Sequence, residues 1–143
     1  MKNTLFIILK NTAQNIALFL PFAYMGSIWY LSSKPSDAVI NTGLAYDLLL
    51  KEGLHLVEFA VLYVLFVFAL LAAGLLSTRT NKIAAILSIF YGFIDECHQY
   101  FMPYRSFTMI DLLKDTTGVF IAYFIINRKL FAKKNGRNDH IKS

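Results

Sequence analysis

Charge is scarce in this chain: Asp, Glu, Lys and Arg make up only 16% of its 143 residues, against 57% apolar. A soluble domain carries about 25% charged residues, so a freely soluble globule is excluded, and the mean hydropathy of +0.52 agrees. One cysteine, Cys97, leaves no intrachain disulfide to form and says nothing about redox compartment; it reads as a small buried apolar residue. No Gly-rich phosphate loop, nucleophile elbow, zincin pair or cofactor signature occurs, so no cofactor is expected. The net charge of +5 comes without a basic stripe or stacking motif, which excludes nucleic acid as a partner. The run Leu5 to Leu9, followed by Lys10-Asn11, is too broken for a signal-peptide core, and no small-residue cleavage pattern follows it. Internal repeats and low-complexity tracts are lacking too.

What the chain has is long apolar blocks. Ile16 to Leu31, counted from Thr12, is about 20 residues, enough to span a bilayer, with Pro21 inside and Trp29-Tyr30 suited to an interfacial belt. Ser32 to Asp37 is a polar turn, and Ala38 to Leu50 reads as a short amphipathic helix at the interface. Leu54 to Leu76 is a second span, Ile83 to Met102 a third that Pro103 ends, and Thr108 to Ile126 a fourth. The expected fold is therefore all-α, a polytopic bundle of four transmembrane helices with a short interfacial helix. Residues 1–126 form the membrane domain and 127–143 a basic, disordered cytoplasmic tail.

The basic residues orient this arrangement. With the N-terminus inside, ten fall on the inner side (Lys2, Lys10, Arg79, Lys82, Arg128, Lys129, Lys133, Lys134, Arg137 and Lys142). Four fall on the outer side (Lys34, Lys51, Arg105 and Lys114). That positive-inside excess puts both termini in the cytoplasm of a multi-pass protein. Eight of the nine acids then lie outside or in the outer half of a span, Asp139 being the exception.

A charged side chain at mid-bilayer costs roughly 2.5–3.5 kcal/mol on insertion scales, which makes such groups site candidates. Asp95 lies eight residues before Pro103, about 12 Å along a helix, too deep for easy solvation by bulk water. It shares a face with His98 and Gln99, and Glu96 aligns with Gln99. On the second span His55 and Glu58 are three apart on one face. Beyond Pro103 come Arg105, whose guanidinium presents a fork of donors to phosphate or carboxylate, and then Asp111 and Asp115. Glu58, Asp95 and Glu96 are candidate acid–base or binding carboxylates; His55, His98, Gln99, Arg105, Asp111 and Asp115 are candidate binding residues. Each has a structural alternative: a helix-tying hydrogen-bond network for the Asp95 cluster, a headgroup anchor or ion pair for Arg105, and an N-terminal cap for Asp111. Gly118 and Ala122 form a small-residue face that admits another helix, expected to be the third. Imidazoles and carboxylates on facing helices can build a metal site, but without a repeated Glu-x-x-His pair no metal is expected.

Tyr30-Leu31-Ser32-Ser33-Lys34-Pro35, His55-x-x-Glu58-Phe59, Asp95-Glu96-x-His98-Gln99-x-x-x-Pro103-x-Arg105-Ser106 and Asp111-x-x-x-Asp115-x-x-Gly118 together resemble the VanZ-like family, over about residues 28 to 126. The resemblance implies a small polytopic protein of the bacterial plasma membrane, in a family whose namesake is linked to resistance to teicoplanin-type glycopeptides. Two positions depart from the family pattern. Glu52 stands where Lys is common three residues before the His, and Tyr104 replaces the Gly of a Pro-Gly-Arg turn. The expected function is action at the outer leaflet on a cell-envelope component. Membrane lipids are the expected partners, with a lipid-linked envelope precursor or a lipoglycopeptide as ligand. An enzyme, a non-enzymatic lipid- or partner-binding protein and a small transporter all remain open.

Overall fold

The computed structural model describes residues 2–35, 47–103, 105 and 108–132, and leaves out the side chains of residues 2, 3, 5, 47–52, 55 and 132. The described chain is all-helical, without a strand: α1 (Lys2–Ser32), α2 (Asp47–Ala72), α3 (Thr78–Tyr100), α4 (Met109–Asn127) and a π-helical turn (Arg128–Ala132). Of the interfacial helix expected over 38–50, residues 38–46 lie outside the described residues and 47–50 belong to the start of α2. Within the basic tail, Asn127 closes α4, the π turn follows, and 133–143 lie outside the described residues.

Helix ends differ from the sequence expectation wherever a cap decides them. α1 does not begin near Thr12 but runs back to Lys2. Exposed Lys10, Asn11 and Thr12 do not stop a helix, and the Thr12 hydroxyl donates to the Ile8 carbonyl (2.9 Å). α2 ends four residues before Leu76, because Gly74 adopts φ +70°. There Gly74 N–H bonds the Leu71 carbonyl (3.1 Å) and Leu75 N–H that of Leu70 (2.9 Å), a Schellman ending that suits glycine. α3 starts at Thr78 rather than Ile83. The Ser77 hydroxyl accepts from Thr80 N–H, and the Thr80 hydroxyl accepts from Ser77 N–H, in a reciprocal capping box.

The helices run alternately up and down, as contacts at the two ends show. Leu56 of α2 meets Gly118 midway along α4, and at one end Ser32 of α1 meets Asp95 of α3. At the other, Tyr63 of α2 bonds Asn81 of α3 (2.8 Å). α2 packs against all three other helices, most extensively against α4 and α1. The core between them gathers Ile28, Phe59, Leu62, Tyr63, Val67, Ala84, Ala85 and Val119. Gly118 sets the closest approach: a Cβ there would overlap the Leu56 carbonyl oxygen. The small-residue face expected to admit the third helix thus receives the second at Gly118. Small residues announce that a backbone comes near, but not whose.

Large apolar side chains point outward along the whole bundle: Phe19, Phe22, Phe68, Leu71, Ile86, Phe90, Phe120 and Phe124 are all at least half exposed. Asp95, Glu96, Gln99 and Asp115 are buried, as are Ser32, Asn81 and Ser88. This is the reverse of a soluble globule. Among the described residues one helix, Phe6–Ser32, is long and apolar enough to cross a membrane by length and composition; Leu56–Ala72 is a shorter apolar helix. α3, with Arg79, Lys82, Asp95 and Glu96, and α4, with Asp111, Lys114 and Asp115, carry more charge and do not meet that standard.

Candidate functional site

The last turn of α1 delivers Ser32 to Asp95. The Ser32 hydroxyl donates to Asp95 Oδ2 at 2.7 Å, and Gln99 Nε2, one helical turn along α3, donates to the same oxygen at 2.8 Å. Asp95 is 1% exposed, and its Oδ1 has no hydrogen-bond partner among the described residues. His98 and Arg105 both lie close enough to act electrostatically on this carboxylate. A buried carboxylate demands such donors and cations, since taking a charge out of water is costly without them.

One residue further along α1, the Ser33 hydroxyl lies 3.0 Å from His98 Nε2. The His98 ring stacks on Trp29, with centroids 3.8 Å apart and planes 22° from parallel. Arg105 then reaches back over the same helix end. Its Nε donates to the Lys34 carbonyl (2.9 Å) and its Nη2 to the Leu31 carbonyl (3.3 Å). These carbonyls belong to the end of α1, where helical donors run out and the dipole is negative. The guanidinium fork therefore caps α1 and holds Ser32 and Ser33 against α3.

The other candidates surround this cluster. Tyr91, one turn before Asp95, donates to the Met25 carbonyl (2.8 Å) and lies within electrostatic range of both Asp95 and Glu58. Half-buried Glu58 of α2 also acts on Tyr24 of α1. Asp115 of α4 is buried beside Gly92 of α3: a Cβ built there would sit 3.6 Å from the Asp115 Cβ and 3.5 Å from the Phe59 ring. Glu96 is buried on α3. Asp111 stands apart at the start of α4. Its N–H donates to the Thr108 hydroxyl (3.1 Å), its carboxylate accepts from that hydroxyl, and Lys114 Nζ pairs with it at 2.8 Å. The side chain of His55 and all of Tyr104 and Ser106 lie outside the described residues.

Ser32, Ser33, Trp29 and Tyr91 were not singled out from sequence as site residues. Ser32 and Ser33 read as a polar turn and Trp29 as an interfacial aromatic; the sequence signals were the place of Ser32 and Ser33 in the Tyr30–Pro35 piece of the family pattern and that of Tyr91 one turn before Asp95. Among the described residues no group of three or more His, Cys, Asp or Glu could hold a metal ion. What the arrangement can do chemically is hold a carboxylate between the neutral donors Ser32 and Gln99, with the Arg105 guanidinium and the His98 ring nearby, at one end of the bundle.

The polar cluster lies within the stretch that a family model matches. The VanZ/LLP1 family model matches residues 31–131. The chain belongs to the VanZ/LLP1 family. The match opens at Leu31, just before Ser32, and spans Glu58, the α3 cluster, Arg105 and Asp115, so the VanZ/LLP1 region contains nearly the whole network described above. No curated protein and no solved structure matches the chain.

Trp29 is the sole tryptophan, so its emission reports directly on this VanZ/LLP1 site. His98→Ala removes the stacked ring and is expected to change the intensity of that emission clearly. Ser33→Ala, which only frees the imidazole's hydrogen bond, should change it less. Identical steady-state spectra for the wild type and His98→Ala would dismiss the stack.

Proposed function

We propose that this chain is a four-span protein of the bacterial plasma membrane, with both termini cytoplasmic and the Ser32 end of the bundle at the outer leaflet. There it binds the anionic headgroup of a cell-envelope molecule, a lipid-linked precursor or a lipoglycopeptide, and lowers the action of teicoplanin-type drugs. The observation that carries this reading is the inverted surface: large apolar side chains face outward while Asp95, Glu96, Gln99 and Asp115 are buried at one end. In lipid such polar groups belong in the bundle interior, paired with one another. The distribution of basic residues supports the orientation, and family membership supports the drug class.

In this reading Arg105 and His98, both half-buried, face the incoming anion from a rim made by the ends of α1 and α3. Asp95, Glu58 and Glu96 sit behind them. The carboxylates hold Arg105 and the His98 ring in place and balance the guanidinium charge, a binding role. Acid–base work by the same carboxylates is the second reading, favoured by the absence of a hydrogen-bond partner at Asp95 Oδ1.

The test joins topology to phenotype. In a Cys97→Ala background, Lys34→Cys is expected to react with an impermeant maleimide in intact cells, and Arg79→Cys only after permeabilisation. Expression in a susceptible host should raise tolerance to a teicoplanin-type drug. The reverse labelling pattern would overturn the orientation, and unchanged tolerance the drug class.

A further inference from the structure

At the opposite end of the bundle, away from the polar cluster, α3 and α4 part to leave an open furrow of about 220 Å³. Its floor is Ala85 and Val119, both buried. Ile86 and Phe120 form exposed sides, and Ile89 and Tyr123 complete the apolar lining. The furrow exists because Ala85 supplies too little bulk to fill the space between the two helices. Its wall is braced: the Tyr123 ring meets Tyr63 edge-on at 6.2 Å, and Tyr63 is anchored on Asn81. From Lys82 to Ile89 it runs about 10 Å along α3. It is smaller than the roughly 300–1,000 Å³ of drug-sized pockets and is shaped for a length of hydrocarbon chain.

Lys82 is the one charged residue lining it among the described residues, and it is exposed. Arg79 is three residues earlier on the same helical face. The first turn of α3 holds no acid, whereas the helix dipole favours acids there and disfavours cations. These cations therefore do not serve the helix that carries them. The described acids of all helices lie toward the other end, so the described charges at this end are positive, with Arg128 resting over Phe124 at 4.4 Å. A soluble anion would leave the apolar furrow unfilled, and a neutral lipid would leave Lys82 unused.

We infer that this furrow holds one acyl chain of an anionic phospholipid, with its headgroup phosphate on Lys82. The site lies in the leaflet opposite the proposed headgroup site and shares no residue with it; it rests only on the membrane part of that proposal. Basic pockets between membrane helices on the cytoplasmic side recognise anionic headgroups on the same physical ground.

The experiment uses the full chain reconstituted in vesicles of phosphatidylcholine and phosphatidylglycerol. Flotation comes first, followed by native mass spectrometry of the lipids retained after gentle extraction. The wild type is expected to float and to retain one phosphatidylglycerol with a preference of about fivefold over phosphatidylcholine, the scale of one lysine at an anionic surface. Lys82→Gln should keep a lipid but lose the preference. Ile86→Trp, which fills the furrow from an exposed position, should lose the lipid, and Lys10→Gln, an exposed cation of α1 that belongs to neither site, should change neither. A chain that stays in the aqueous fraction overturns the membrane reading and the furrow site together. A chain that floats but holds both lipids equally, or whose preference survives Lys82→Gln, overturns the furrow site alone.

Discussion

Gly118→Ala is expected to destabilise the bundle, although it replaces glycine by the best helix former. Within an exposed helix that exchange gains about 1 kcal/mol. Here the new Cβ would overlap the Leu56 carbonyl oxygen, a backbone atom that cannot turn aside as a side chain does. α2 and α4, the most extensively packed pair, must then separate, and overpacking of this kind costs typically 1–3 kcal/mol. In the proposed membrane setting the helix also loses close van der Waals packing, which holds membrane helices together where lipid is as apolar as they are. Gly26 of α1 is the matched control: nothing lies within 4 Å of a Cβ built there, so Gly26→Ala should be neutral or stabilising. Thermal unfolding in detergent, followed by helical circular dichroism, gives both values. A Gly118→Ala protein as stable as Gly26→Ala would show that α2 and α4 do not approach at this point.

The second large effect is expected from Arg105→Lys, which should return drug tolerance to the level of the empty vector at equal membrane abundance. Lysine keeps the charge but not the planar fork. It can serve one of the Lys34 and Leu31 carbonyls where Arg105 bonds both. With that cap lost, the end of α1 is no longer pinned, and Ser32 leaves Asp95 Oδ2. Asp95→Asn isolates the charge from the shape. Its carbonyl can still accept from Ser32 and Gln99, at the cost of placing a buried NH₂ where Asp95 Oδ1 has no partner, a penalty of about 1–3 kcal/mol. Its expected outcome is a chain that still inserts but protects poorly. Trp29 emission separates the possibilities for Arg105→Lys: a changed spectrum marks a loosened α1 end, and an unchanged one marks loss of anion contact alone. Full tolerance in the double variant Arg105→Ala/Asp95→Asn would sink the site assignment.

Much of this molecule is visible in the order of its residues. The helices lie where the apolar blocks are, and the acids gather at one end because each block places them at a similar depth along the chain. Helix ends were less legible. They depend on caps such as Ser77 with Thr80, and on the left-handed turn at Gly74, which stops α2 inside the apolar block, four residues before Leu76. A span counted from hydropathy began α1 at Thr12, although a helix tolerates Lys10 and Asn11 on an exposed face.

Sequence alone determined the all-helical class, the family and the set of polar groups that a low-dielectric surrounding would have to bury together. Those follow from local periodicity and from residue types whose solvation cost is independent of their neighbours. Only the tertiary structure decided who meets whom: Ser32 reaches Asp95 across 63 positions, Arg105 caps α1 across 71, and Gly118 receives Leu56 of α2 rather than a residue of α3. Arg105 could have paired with Asp95, Glu96 or Asp111 by charge alone. The carbonyls of α1 took the fork because a helix end leaves acceptors unsatisfied, and helix packing brought that end within its reach.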